Sequence, residues 1–352
     1  MIKIHLFPKW IVPMLVSFTL LFSGDIFGKN EQQSIFDMMY YKEVLDVTLE
    51  ADINYLKNNR RDEALHKARL SFRDVKGQKQ AWDIKVKLRG AFRRIHCEEM
   101  PPLKLNFKKS ELRAAGLADF DDLKLVPYCV ENEELAQDIL FREYLIYKMF
   151  NAVSDYSFRV QLLRISYKDS STGAFYQQWA FLIEDTAQLK ERTGMKQVDE
   201  TKVFNLPPER FDREYLKTVS VFQYMVGNFD WSIANAKNLK FLEKNGKIFA
   251  VPYDFDFTGL VNAPYLAIDS GYGIKSRHQR IYLGFPEDVP DLHSATHSVA
   301  GKRLLLENII KNFKPLNLVS RKDILAYLAA YFDNPDVVKV AERIAVEATE
   351  SP

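Results

Sequence analysis

The first half of the chain contains a succession of short segments with the composition of β-strands. Between Trp82 and Leu88 every second residue is apolar and the residues between them are charged. This period of two is the pattern of a strand with one buried face and one solvated face. On the same grounds we predict strands at 45–51, 68–73, 82–88, 103–107, 123–126, 160–167 and 175–183.

Helical patterns dominate the rest of the chain. One helix is predicted among the strands, at 135–150, with the acidic run 131–134 at the positive end of its dipole. After residue 186 we predict helices at 212–225, 304–312, 321–332 with Ser320 as N-cap, and 336–348 after Pro335. The sequence therefore predicts an α+β protein whose boundary between a strand-rich part and a helical part lies near residue 186.

Composition excludes several classes of protein. A chain of 352 residues with 47% hydrophobic residues can bury a large core, so it is not a disordered or fibrous protein. The net charge of +2 argues against a nucleic-acid protein held by bulk charge. The two cysteines, Cys97 and Cys129, make at most one disulfide and are about as well explained as buried free thiols.

The N-terminus predicts export. Lys3 and Lys9 precede an uncharged apolar run from Trp10 to Phe22, which ends near the small residues Ser23 and Gly24. This is the three-part pattern of a secretory signal, and the run is shorter than the roughly 20 residues of a spanning helix. We expect residues 1–28 to be a signal peptide or an N-terminal anchor, and the protein to be periplasmic, secreted or associated with the envelope.

Two polar segments flank a predicted hairpin in the helical half. The pair Asn245-Gly246 separates two strand-like segments, and both of its residues suit the positive φ of a two-residue turn. The flanking sequences, GNFDWSIANAKN and AVPYDFDF, place five candidate ligands around the hairpin: Asp230, Asn235, Asn238, Asp254 and Asp256. A carboxylate that orients a hydroxyl, followed by hard oxygen ligands for Mg²⁺, is what phosphoryl transfer requires. The Asp-x4-Asn spacing of Asp230 and Asn235 also occurs in the catalytic loop of protein kinases.

Over roughly residues 84–260 the chain resembles the CotH-like atypical kinases, a family related to bacterial spore-coat protein CotH. The resemblance is carried by six stretches in order: KVKLRGAFRR with PPLKLNF, AQDILFREYLIYKMF, AFYQQWAFLIED, GNFDWSIAN and AVPYDFDF. It implies a two-lobed protein-kinase-like fold with a strand-rich N-lobe containing one helix (29–186) and a mostly helical C-lobe (187–352).

The resemblance also implies a site. Asp230 is expected to be the catalytic base, with Asn235 and Asp254 as metal ligands and Asp256 as an additional ligand. The nucleotide is expected to lie against Arg89, Lys104, Asp138 and Glu184. The implied cofactors are ATP with Mg²⁺ or Mn²⁺, and the implied acceptor is a hydroxyl, of protein Ser or Thr or of a small molecule.

Several of these assignments have open alternatives. Lys124 is an alternative to Lys104, and Glu143 is an alternative to Asp138 as the acid that pairs with that lysine. Glu184 is equally well explained as a solvated acid at a strand end.

Where the family has Ser or Thr after Arg-Gly, this chain has Ala91-Phe92-Arg93. The competing hypothesis is therefore a catalytically inactive binding or assembly module of the envelope. A further pair, His293 and His297, has the i, i+4 spacing of metal ligands, but its surroundings favour a polar loop.

Overall fold

In a computed structural model of the protein, which describes residues 32–41, 43–203, 206–268, 272–336 and 338, seven strands of the first half form a closed barrel. Its strands are β1 (Leu45–Ala51), β2 (His66–Arg73), β3 (Lys79–Leu88), β4 (Leu103–Asn106), β5 (Asp122–Val126), β6 (Val160–Asp169) and β7 (Phe175–Ile183). Their order around the barrel is β1-β2-β3-β4-β5-β7-β6, and β6 pairs with β1 in parallel to close it. All seven predicted strands are confirmed.

The predicted two-lobed kinase-like fold is wrong. The strand-rich part is a closed mixed barrel with helices around it, and not a kinase N-lobe joined to a helical C-lobe. The closure depends on a seven-residue parallel pairing that runs from Leu45 opposite Leu163 to Ala51 opposite Asp169. A period-two pattern identifies strands but carries no information on which distant strand each one joins.

The barrel has an apolar interior, and part of its outer wall is also buried. Leu103, Leu105, Leu123 and Leu125 belong to the interior cluster, together with alternate residues of the other strands. Most residues of β6 are buried on both faces because a second apolar cluster, centred on the long helix α5 (Glu133–Val153), covers this side of the barrel. The helical layer therefore covers the barrel on the side of β6.

The helices of the described residues are α1 (Ile35–Met39), α2 (Ile53–Asn58), α3 (Phe92–His96), α4 (Lys109–Ala114), α5 (Glu133–Val153), α6 (Thr186–Thr193), α7 (Arg213–Val226), α8 (His293–Ala300), α9 (Arg303–Asn312) and α10 (Leu318–Phe332). Among these, α5, α7, α9 and α10 confirm predicted helices. The N-cap of α10 is Asn317 instead of the predicted Ser320, because the Asn317 side chain accepts the hydrogen bond of the Ser320 amide. Within the described residues, no helix combines the length and the apolar character needed to cross a bilayer.

A second sheet contains the predicted hairpin. It consists of β8 (Lys196–Gln197), β9 (Leu239–Lys244) and β10 (Lys247–Pro252). The turn between β9 and β10 has φ of 53° at Asn245 and 76° at Gly246, as the sequence predicts. This hairpin holds the two polar segments on either side of it close together.

Cys97 and Cys129 form a disulfide. Cys97 ends α3 and Cys129 lies shortly after β5, and the Glu98 amide donates a 2.7 Å hydrogen bond to the Cys129 carbonyl beside the bridge. The disulfide therefore ties the segment after Arg89-Gly90 to the end of β5. The predicted signal or anchor at 1–28 lies outside the described residues, as does nearly all of the predicted helix 336–348.

Candidate functional site

Asp254 lies just past the hairpin in a strained backbone conformation. Its φ is 64°, in the left-handed region that non-glycine residues rarely occupy. The segment is fixed by two hydrogen bonds, from the Tyr253 amide to the Asn238 carbonyl at 3.1 Å and from the Asp254 amide to the Tyr147 hydroxyl at 2.8 Å. Among the described residues, no side chain forms an ion pair or hydrogen bond with the Asp254 carboxylate. Its acceptor capacity is therefore free for a ligand.

Asp230 follows α7, which ends at Gly227 with φ of 68°. Its amide donates to the Asn228 side chain at 2.8 Å, and its carboxylate pairs with Lys237 and accepts a 2.9 Å bond from the Asn238 amide group. Burial raises the pKa of Asp230, and the nearby Asp254 carboxylate adds to the rise, while Lys237 and Asn238 oppose it. A carboxylate with a raised pKa is a stronger base.

Asn238 joins the two acidic segments. Its side chain bonds both the backbone carbonyl and the carboxylate of Asp230, and its own carbonyl accepts from Tyr253. Asn235, the predicted metal ligand, is exposed, and its amide donates to the Ser232 hydroxyl at 3.1 Å. The contacts in the described residues thus connect Asp230 to the Asp254 segment through Asn238 and not through Asn235.

Asp256 belongs to a buried group of charges. Its Oδ2 accepts from Arg93 Nε at 2.8 Å, and Arg93 Nη2 donates to Glu143 Oε2 at 2.5 Å. The three side chains are 3%, 10% and 2% exposed for Asp256, Arg93 and Glu143. Arg93 thus lies between the two carboxylates and pairs with both of them.

One guanidinium does not neutralise the carboxylates around it. Burial raises the pKa of Asp256 well above its usual value; Arg93 opposes this rise, and the carboxylates of Asp254 and Glu143 add to it. The pKa of Glu143 is raised for the same main reason. The site therefore has an excess of acidic groups on its inner side.

Lys124 leaves the outer face of β5 and faces the hairpin. Its Nζ lies 5.1 Å from the ring centres of both Phe158 and Tyr253, and among the described residues it makes no ion pair or hydrogen bond. Burial, together with the positive charges of Arg89 and Lys240, lowers the pKa of Lys124 to about 7, and the Asp254 carboxylate opposes this. Lys124 is thus a partly desolvated cation within the electrostatic range of Asp254.

Two further cations surround Lys124. Arg89 is partly buried, and its guanidinium has no ion pair or hydrogen bond within the described residues, although its charge acts on Lys124, Glu143 and Tyr253. The Lys240 Nζ lies 5.4 Å from the Tyr253 ring centre and pairs with Glu200. Unpaired positive groups beside an unpaired carboxylate are the complement of a phosphate group carrying a divalent cation.

The other residues that were predicted to contact the nucleotide form ion pairs with neighbouring side chains. Lys104 lies directly opposite Lys124 across β4 and β5 and pairs with Asp122. Asp138 accepts from Arg142 at 2.7 Å. Glu184 is fully buried between Arg159 and Arg192, at 2.9 and 2.6 Å. Neither Asp138 nor Glu143 pairs with a lysine in the described part of the chain.

The chain matches no protein-family model, and no curated protein is significantly similar to it. The resemblance to the CotH-like kinases therefore stays a prediction.

Sequence reasoning missed two members of the site, Arg93 as the partner of Asp256 and Tyr147 as the acceptor for the Asp254 amide. It named Asn238 as a candidate ligand but not as the link to Asp230. Tyr147 lies one helical turn after Glu143, so both project from the same face of α5. This i, i+4 spacing is the sequence signal that could have placed Tyr147 beside Glu143. Nothing in the local sequence indicates that Arg93 meets Asp256 from 163 residues away.

Proposed function

We propose that the protein is an exported phosphotransferase that moves a phosphoryl group from ATP to a hydroxyl with the help of Mg²⁺ or Mn²⁺, as the resemblance to the CotH-like kinases implies. The acceptor we propose is protein Ser or Thr, or a small-molecule hydroxyl, and not a nucleic acid. The observation that supports this function is the grouping of Asp254, Lys124 and Arg89, which influence one another electrostatically and whose charged groups lack partners in the described structure. On this proposal the activity belongs to a barrel protein and not to a kinase fold.

The residues at the site suit the proposed cofactors. The Asp254 carboxylate has the hard oxygens that Mg²⁺ prefers, and Asp230 lies close enough to raise the charge density further. Bound there, the cation would neutralise phosphate charge during transfer. Lys124 and Arg89 would hold the phosphate oxygens. Asp256 fits this ligand set poorly, because Arg93 already satisfies one of its oxygens.

We assign the proton of the acceptor hydroxyl to Asp230. In this proposal its carboxylate accepts the hydroxyl proton as the oxygen attacks, which its raised pKa favours. The hydrogen bond from Asn238 fixes the orientation of Oδ2 during this step. Lys237 holds the other carboxylate oxygen and would limit the base strength until the acceptor displaces it.

Export is proposed on two grounds. The N-terminal pattern predicts it, and the Cys97–Cys129 disulfide is typical of oxidising compartments.

A second candidate function, a catalytically inactive module that binds a phosphate-bearing ligand, is favoured by Arg93. A guanidinium between Glu143 and Asp256 supplies the positive charge that a second metal ion would provide. The exposed Asn235 side chain, which makes no hydrogen bond to Asp254, also favours the inactive module, because it is not positioned to share a metal ion with that carboxylate. The two candidates share the binding step and differ only in transfer.

Calorimetric titration with ATP, without metal and with Mg²⁺ or Mn²⁺, tests the binding step. The decisive comparison is Lys124→Met against Lys104→Met. These lysines are cross-strand neighbours on the same outer face, but Lys104 pairs with Asp122 whereas Lys124 lies against Phe158 and Tyr253. We expect Lys124→Met to abolish binding and Lys104→Met to leave it unchanged. Equal effects of the two substitutions, or no binding by the wild type with either metal, would refute both candidates.

The metal assignment is tested within the acidic pair. Asp254→Ala should abolish the metal-dependent part of ATP binding, while Asp256→Ala should weaken it less. If Asp256 alone mattered, the ligand assignment would be wrong. Phosphoryl transfer from labelled ATP to the protein itself or to a panel of envelope proteins then separates an enzyme from a binding module.

A further inference from the structure

A second cluster of potential ligands lies on α8, away from the proposed phosphate site. The prediction of a polar loop around His293 and His297 is wrong, because both residues belong to the helix His293–Ala300. Their i, i+4 spacing therefore places the two rings on one face, with centroids 4.1 Å apart. Two imidazoles one helical turn apart are a common pair of metal ligands.

Asp336 completes the cluster from a different part of the chain. It lies a few residues after the end of α10, and its carboxylate meets both histidines, with His293 Nδ1 to Oδ1 at 3.3 Å and His297 Nε2 to Oδ2 at 3.1 Å. The Thr296 hydroxyl donates to the His293 carbonyl at 2.9 Å and, as a longer second contact, to the same Oδ1 at 3.2 Å. One ligand atom from each of the three residues falls within 4.8 Å of the others.

These separations suit a tetrahedral metal ion. Zinc bonds of about 2.0–2.1 Å at tetrahedral angles place neighbouring ligand atoms about 3.3 Å apart. The nitrogen-to-oxygen distances are 3.3 Å to Oδ1 and 3.1 Å to Oδ2 of Asp336, and one ligand atom of each residue lies within 4.8 Å of the others, so a rotation of the carboxylate would bring one oxygen within reach of an ion held by both histidines. Among the described residues no lysine or arginine pairs with Asp336, so no fixed cation competes for the carboxylate.

We propose that His293, His297 and Asp336 bind a borderline divalent cation, with Zn²⁺ as the best match to two imidazoles and one carboxylate. Three protein ligands leave one tetrahedral position for water or for a group from another molecule. The ligands are 78%, 51% and 53% exposed for His293, His297 and Asp336, so the ion can enter from solvent and the open position faces outward. Binding would fasten the segment after α10 to α8.

The Thr296 hydroxyl has a supporting role in this site. Metal-bound carboxylates are commonly held by a further hydrogen bond, which orients them toward the ion. Thr296 is buried and donates to Asp336 from between the two histidines on the helix. It therefore positions the carboxylate without being a ligand.

The test is equilibrium dialysis of the untagged protein against Zn²⁺, followed by metal analysis and by Co²⁺ substitution. We expect one ion per chain, visible absorption of tetrahedral Co²⁺, and an at least tenfold loss of affinity in His293→Ala and in His297→Ala. His66→Ala is the matched control, because His66 forms an i, i+4 contact of 2.9 Å with Asp62 but, among the described residues, belongs to no cluster with a second histidine.

Three outcomes would overturn the proposal. They are no zinc binding by the wild type, unchanged affinity in both α8 variants, and a loss in His66→Ala equal to that in His293→Ala. Because these side chains are exposed, the α8 variants should fold normally, which circular dichroism checks. Asp336→Asn is an independent test. It keeps the shape of the side chain and an acceptor oxygen for Thr296, but an amide oxygen is a weaker zinc ligand than a carboxylate. This variant should therefore also lower zinc affinity.

Discussion

Replacing Lys124 with methionine should stabilise the protein at neutral and acidic pH, although it removes a cation from the proposed phosphate site. The pKa of this lysine falls from 10.5 to about 7, mainly because of burial. At about 1.4 kcal/mol for each pKa unit, the charged form carries a penalty of about 5 kcal/mol in the folded state. Methionine keeps most of the apolar stem and does not carry this penalty.

The pH dependence of this stabilisation follows from the pH at which Lys124 loses its proton in the folded state and in the unfolded state. Below about pH 7 both states are charged, so the folded state carries the full penalty. Between about pH 7 and 10.5 the folded state has released the proton and the unfolded state still binds it, so the wild type gains stability as the pH rises. The advantage of Lys124→Met should therefore be largest at about pH 6 and smaller by about 3 kcal/mol at about pH 9.5.

The lost contacts with Phe158 and Tyr253 reduce the expected gain. Cation–π contacts contribute about 0.5–2 kcal/mol, which leaves a net stabilisation of about 3–4 kcal/mol at about pH 6. Urea unfolding under non-reducing conditions measures it, with Lys104→Met as the control that should show no comparable pH dependence. A Lys124→Met variant that is less stable than the wild type at pH 6, or whose difference does not change with pH, would refute the placement of Lys124 in a desolvated site.

Three further outcomes are expected. Asp230→Asn should remove phosphoryl transfer and leave ATP affinity within a few-fold of the wild type, because Asp230 acts on the acceptor; a parallel loss of affinity, measured by calorimetry, would contradict this role. Arg93→Met should lower the free energy of unfolding by about 3–5 kcal/mol, since it leaves Glu143 and Asp256 buried without a cation; a change under about 1 kcal/mol in urea unfolding would contradict the buried arrangement. Replacing both cysteines with alanine opens a loop with a sequence separation of 32 residues. It should cost about 4 kcal/mol in the same assay, whereas equal stability of oxidised and reduced wild type would argue against the bridge.

The strands were predictable because each is encoded locally. The predicted bounds of β1 and β7 agree with the structure at both ends, and the alternation at the end of β3 corresponds to buried Ile84, Val86 and Leu88 between more exposed residues. The barrel was not predictable in the same way. Its closure is a parallel pairing of β1 with β6, 118 residues apart in the chain, and neither strand carries a local mark of that partner.

The residues of the candidate site also differ in whether the local sequence identifies them. Asp230 and Asp254 stand in motifs next to a well-marked hairpin, so they could be named from the sequence. Lys104 and Lys124 have the same setting, a lysine between leucines on a short strand, and differ in what covers the barrel wall outside them. Lys124 faces Phe158 and Tyr253, which is a property of the tertiary structure alone.

The central claim is that Asp254 and Lys124 bind the metal and phosphate portions of one nucleotide. A crystal soaked with Mn²⁺ and a non-hydrolysable ATP analogue tests it directly, since the anomalous signal locates the ion. We expect a manganese peak about 2 Å from an Asp254 oxygen, with phosphate oxygens in contact with Lys124 and Arg89. A bound nucleotide elsewhere on the protein, or a manganese peak with no contact to Asp254, would contradict the claim.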